Sequence, residues 1–329
     1  MPDPAPQNFA RSDAFKLTVW FLATAVLGAF LAPVIHVVGT AIVAGGHLEG
    51  GPADWVHSEM VKAEFGRYFN RAILMAALLL LYPMSRWLGL ESGWGWMGLR
   101  PNPYRWKDLG LGFFLAAGSL LVVALVYLQL GWYRLREPMP SVPGVLGGAV
   151  FTGFSVAVLE ECLFRGLLFG ILLRSLSERT SLWFLSAFFA LLHFLKPPEG
   201  GGTLENVDWL SGFTMLGRIA LQFQDPWFFA AEFATLFAVG WVLGYARLRS
   251  ASLWLSIGLH AGWVFGIKAF SPLARRALRA ERIWPWAGEN LRIGLVTLAL
   301  VILAGVVVWA YLRHRHRRTE SPGASAGKA

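Results

Sequence analysis

Residues 109–130 read LGLGFFLAAGSLLVVALVYLQL, an apolar run without a single charge. At a rise of 1.5 Å per residue such a run makes a helix of about 33 Å, enough to cross a hydrocarbon core of about 30 Å. It closes on Trp132 and Tyr133, rings that favour the level where hydrocarbon meets headgroups. The rest of the chain has the same character. Of 329 residues, 56% are hydrophobic and 15% charged, and the mean hydropathy is +0.51, well to the apolar side of a soluble globular domain.

Working outward, comparable segments fall at about 17–38, 72–88, 143–174, 183–195, 227–245, 253–270 and 295–312. The expectation is an all-α, polytopic integral membrane protein with about eight transmembrane helices. It has three parts: N-terminal membrane helices and loops (1–142), a core in which polar residues intrude on apolar helices (143–270), and a basic loop, last helix and polar basic tail (271–329). The first run is long and lacks a small-residue cleavage site, so it reads as a retained helix rather than a signal peptide. Pro33 can kink it, and His36 near its far end reads as a packing residue.

The net charge of +9 is spread over loops and tail with no aromatic-basic binding surface, which points to anionic lipid and away from nucleic acid. Lys and Arg on alternate loops favour cytoplasmic termini by a narrow margin. The expected location is a bacterial-type inner (cytoplasmic) membrane. Cys162 is the single cysteine, which excludes an internal disulfide and a multi-cysteine metal site.

The segment 143–174 differs from its neighbours. As one helix it would be about 48 Å long, more than the hydrocarbon thickness, so it needs a break or a strong tilt. Near its middle stand Glu160, Glu161 and Arg165. A charged residue at the centre of a span costs about 2.5–3.5 kcal/mol even on permissive insertion scales, so such groups face protein or a water-filled cavity and mark function. Glu161 and Arg165 have the i,i+4 spacing of a helical ion pair with the carboxylate N-terminal, the better order. Glu160 is rotated by about 100° from Glu161 and needs another partner. Only His193 and His260 lie inside the later spans. Glu232, near the start of its span, reads as a structural carboxylate, and Gly240 and Gly244 as a close helix-packing pair.

A glutamate with two histidines suits activation of water. The carboxylate acts as general base and then general acid, and an imidazole positions the water or steadies an oxyanion. The same three residues, Glu160, His193 and His260, could also hold Zn²⁺ with one position open for water, although the usual HExxH pairing is absent. The sequence leaves the cofactor unknown.

Glu160-Glu161-x-x-x-Arg165, then Phe189-x-x-x-His193, then the run from Ser252 to His260, together resemble the CAAX-protease and bacteriocin-processing (CPBP, or Abi) family of intramembrane endopeptidases. That family includes the type II CAAX prenyl proteases. The resemblance covers about residues 143–270. It implies an all-helical membrane protease acting on a membrane-anchored protein or peptide. Glu160 would activate water with His193, Glu161 would pair with Arg165, His260 would help hold the oxyanion or a metal, and Phe189 would pack beside the site. The family's last motif often carries Asn or Asp four residues after the histidine, and here that position is Val264. Oxyanion stabilisation then falls to His260, to backbone or to another side chain; Trp263 has an indole N–H but sits one residue off the expected face. Two other classes compete with a protease: an inactive scaffold or immunity-type protein of the same fold, and a proton-coupled transporter.

Overall fold

Runs of Leu, Ala, Val and Phe with few breakers fold as helix, because in hydrocarbon every backbone N–H and C=O must be satisfied within the segment. The computed structural model describes residues 13–45, 60–61, 63–89, 102–194, 202–221, 226–288 and 290–320. They form two units, one of residues 1–92 and 192–226 and one of residues 93–191 and 227–329. The Trp- and Gly-rich stretch at 90–101 and residues 195–201 of the loop after His193 lie outside the described residues.

In the first unit, α1 (Asp13–Ala44) packs along α2 (Phe65–Trp87). Gly28 permits this: a Cβ there would come within 2.9 Å of the Ile73 Cα. The short helix lower in the unit (Ser211–Leu221) lays Gly212 directly on the carbonyl of Ala29. Ala29, Ala32, Phe65, Phe69, Ala72, Met215 and Ile219 form the core between these helices. His36 meets Phe65 and Tyr68 edge-on, at centroid distances of 5.6 and 5.1 Å, and is a packing residue.

The second unit contains, in chain order, α3 (Arg105–Gln129), β1 (Tyr133–Leu135), α4 (Val142–Glu161), a π-helical segment (Cys162–Leu168), α5 (Phe169–Ser175) and α6 (Glu178–His193). The last two residues of α6 belong to the first unit. With Ser211–Leu221 numbered α7, the chain continues through α8 (Pro226–Ser250), α9 (Trp254–Leu273), β2 (Ala274–Arg276), α10 (Ala280–Ile283) and α11 (Leu295–Glu320). The strands β1 and β2 make a small antiparallel ribbon with Arg134 opposite Arg275.

α9 is the central rod of this unit. Gly258, Gly262 and Gly266 line one face at intervals of four, and a Cβ on the first two would collide with the carbonyls of Leu109 and Phe113 on α3. A Cβ on Gly153 of α4 would lie 2.8 Å from the Ala261 carbonyl, so a second helix approaches α9 as closely. Every residue from Leu255 to Trp263 is buried. A span enclosed by protein in this way can carry Ser256 and His260 without presenting them to lipid.

Among the described residues, five helices are long and apolar enough to cross a membrane: Phe15–Ala44, Phe65–Trp87, Arg105–Gln129, Phe229–Ser250 and Leu295–Arg315. The protein is an all-α integral membrane protein in class. The other three segments expected to span are α4 with its π-helical continuation, α6 and α9. α6, at 16 residues, is short for a span, and α4 and α9 carry Glu160, Glu161, Ser256 and His260.

Candidate active site

α4 ends at Glu161, and the next seven residues, Cys162–Leu168, wind as a π-helix. A π-turn inside an α-helix shifts the side-chain register and occurs frequently at functional sites. It lies just where the overlong helix had to depart from regular geometry. Glu160 and Glu161 therefore sit at the last α-turn, and Arg165 in the widened one.

Glu161 is fully buried, as is Arg165. Arg165 Nη1 donates to Glu161 Oε1 at 2.8 Å, and its Nη2 donates to the Gly240 carbonyl on α8 at 3.3 Å. The guanidinium lies 4.4 Å from the centre of the Phe189 ring on α6. A cation held over an aromatic face in a dry site gains about 2 kcal/mol. Three elements thus hold one buried arginine. The same Glu161 Oε1 lies 2.8 Å from Nδ1 of His260. A carboxylate only accepts hydrogen bonds, so Nδ1 carries the proton, and in the neutral ring Nε2 presents a lone pair. Ser256, buried one turn earlier on α9, lies beside the same carboxylate and donates its hydroxyl to the Leu253 carbonyl at 2.9 Å. Phe189 closes the cluster, edge-on to His260 with ring centres 6.1 Å apart.

His260 Nε2 points at Glu160, with 3.8 Å between Nε2 and Glu160 Oε2. That is too long for a hydrogen bond, and a water set to one side of the gap is within reach of both atoms. The Glu160 side chain is 33% exposed, yet its Oε2 is shielded and has no hydrogen-bond partner among the described residues. Two acceptors therefore face each other across a gap that a molecule with two donors would fill.

The second unit brings together Glu160, Glu161, Arg165, Phe189 and His260. His193 ends α6, one turn beyond Phe189, and belongs to the first unit. Trp263 is buried and donates its indole N–H to Ser119 Oγ on α3 at 3.2 Å, so that donor is turned away from the cluster. Val264 is half-buried. Glu232, a secondary candidate by sequence, pairs with Arg292 at 2.9 Å. Sequence reasoning missed three contributions: the anchoring of His260 by Glu161, the Gly240 carbonyl, and Ser256. Gly240 and Ser256 carry no charge to draw notice, and the first contact joins residues 99 apart in the chain.

As to a metal, Glu160 Oε2 and His260 Nε2 are two donors where a catalytic zinc takes three from protein. Among the described residues no group of three His, Cys, Asp or Glu side chains is placed to hold one ion. Within the second unit the donor set stops at two, and no chemical step is assigned to a metal.

Residues 142–266 match the family model described as type II CAAX prenyl endopeptidase Rce1-like. This stretch runs from the start of α4 into α9 and holds every residue of the cluster. No curated protein and no solved structure matches the chain.

Proposed function

We propose that this membrane protein, whose residues 142–266 form an Rce1-like domain of the CPBP kind, is an intramembrane endopeptidase that hydrolyses a peptide bond in a membrane-associated protein or peptide. The observation that carries the reading is the pair of acceptors, Glu160 Oε2 and His260 Nε2, facing each other at 3.8 Å. A water between them donates one hydrogen to each. Glu160 takes a proton from that water as its oxygen attacks the scissile carbonyl carbon. The carbonyl π-bond opens to a tetrahedral oxyanion. Collapse of the intermediate breaks the C–N bond, and Glu160 returns its proton to the leaving amine.

His260 holds the water in place, and in its protonated form it can donate from Nε2 to the oxyanion. Glu161 keeps the ring oriented through Nδ1, and Arg165 neutralises Glu161. These are positioning roles. His193 enters this reading from the family resemblance alone, as a second imidazole to be tested by substitution. In this reading residues 143–270 are the catalytic core, 1–142 and 271–329 flank it, all eight helical segments cross a bacterial-type inner membrane, and the substrate reaches the site from within the bilayer. The family description makes a prenylated C-terminal CAAX peptide the first substrate to try.

The test is cleavage of such a peptide by the purified protein in liposomes, read by mass spectrometry of the released fragment. Loss of cleavage in both Glu160→Gln and His193→Ala variants that retain the wild-type unfolding temperature supports the assignment. Undiminished cleavage in Glu160→Gln would refute it. Solute flux without any cleavage would favour the transporter instead.

A further inference from the structure

α8 and α11 enclose an apolar groove of about 360 Å³, lined by Phe237, Trp241, Tyr245, Ile302, Val306 and Trp309 among others. Gly305 forms its floor, where a Cβ would stand 2.8 Å from Val242 Cγ2. Ile302 and Val306 are half exposed, so the groove opens outward to the surroundings of the helix bundle.

The two walls run in the same direction. α8 connects through 251–253 to the start of α9, so the end of α8 and the start of α9 lie together. α9 runs parallel to α3, because Gly258, Gly262 and Gly266 face Leu109, Phe113 and Leu120 in order. Asp108, in the first turn of α3, accepts from Tyr311 at 2.7 Å and from Arg315 at 3.0 Å near the end of α11. The C-terminal ends of α8 and α11 are therefore at one end of the unit.

At that end each wall finishes in the same way. Arg249 sits over the Tyr245 ring at 5.9 Å, and Arg313 over the Trp309 ring at 5.1 Å. Both arginines are exposed, and neither pairs with a carboxylate among the described residues. At this end Asp108 is fully buried and committed to Arg315, Tyr311 and Asn102, and the exposed Glu178, brought to the same end of α8 by the contact of Leu182 with Gly244, forms no ion pair with Arg249 or Arg313. A lipid-accessible apolar groove that leads to two uncompensated guanidinium groups at the aromatic belt has the shape and charge of an anionic phospholipid.

We propose that this groove is a binding site for one anionic phospholipid, with an acyl chain against Trp241, Ile302 and Val306 and the phosphate between Arg249 and Arg313. The site is independent of the catalytic reading, since it uses none of the residues of the Glu160 cluster.

Native mass spectrometry of the detergent-purified full chain, titrated with phosphatidylglycerol or phosphatidylcholine, tests it. One phosphatidylglycerol should be retained in preference to phosphatidylcholine. Near a membrane surface each basic residue contributes enough to change affinity about fivefold, so Arg249→Gln with Arg313→Gln should lower phosphatidylglycerol affinity about twenty-fivefold. The corresponding double Lys variant should keep most of it. Val306→Trp, which fills the groove from its exposed side, should displace the lipid with both arginines intact. Equal retention of the two lipids, full retention in the double Gln or Val306→Trp variants, displacement by inorganic phosphate alone, or a lipid-independent dimer covering the groove would each overturn the proposal.

Discussion

Replacing Glu161 separates two roles that its geometry combines. The side chain is fully buried, and one oxygen, Oε1, lies 2.8 Å from both Arg165 Nη1 and His260 Nδ1. Glu161→Gln keeps the shape and removes the charge, so the buried guanidinium of Arg165 loses its counter-ion. Breaking a buried pair from one side costs about 3–5 kcal/mol, a large part of a stability of about 5–15 kcal/mol. Replacing both partners with apolar residues of similar size, Glu161→Leu with Arg165→Met, removes the unpaired charge, and such exchanges are often neutral or stabilising. The unfolding temperature in detergent should therefore fall sharply in the single variant and return most of the way in the double. Cleavage should not return in the double variant, because leucine leaves His260 Nδ1 without the acceptor that fixed its tautomer. Loss of one oriented acid–base group costs about 10²–10⁴-fold in rate. Single-turnover cleavage in liposomes reads that quantity directly. A double variant that regains both stability and cleavage would refute the argument, leaving Glu161 a counter-ion for Arg165 and nothing more.

Other expectations follow from the same geometry. Gly262→Leu drives a side chain into the Phe113 carbonyl and should cost about 1–3 kcal/mol or more, seen as a lowered unfolding temperature, because backbone cannot move aside as a side chain can. Phe189→Leu removes the ring face under Arg165 and should cost about 2 kcal/mol of stability. Unchanged unfolding would mean the cation–ring contact contributes little. With two donors in the cluster, the purified protein should contain zinc well below one ion per chain, and 1,10-phenanthroline should leave cleavage unchanged. One zinc per chain with chelator-sensitive cleavage would instead call for a third ligand, with His193 the first candidate.

The membrane class was legible in 109–130 because uncharged length is itself the physical requirement for spanning. The Glu161–Arg165 pair was legible for a similar reason, since i,i+4 spacing is a local property of a helix. So was the separation of Glu160 from Glu161, and the structure turns Glu160 toward His260. What did not show was the partner across the bundle. That Glu161 serves His260 as well as Arg165 depends on how α4 packs on α9, and that close approach depends on Gly153 against the Ala261 carbonyl, a residue whose message is the absence of a side chain. The break in the overlong helix followed from its length, but its π-helical form did not. Trp263 looked like a spare donor by type; only the placement of Ser119 on α3 shows that its N–H is already used.

The central claim is that Glu160 moves the proton of the attacking water, and the most direct measurement is the single-turnover cleavage rate of folded Glu160→Gln beside wild type. The glutamine keeps the shape and cannot take the proton, so the rate should fall by about 10²-fold or more while the unfolding temperature stays at the wild-type value. A variant that cleaves at the wild-type rate would contradict the claim.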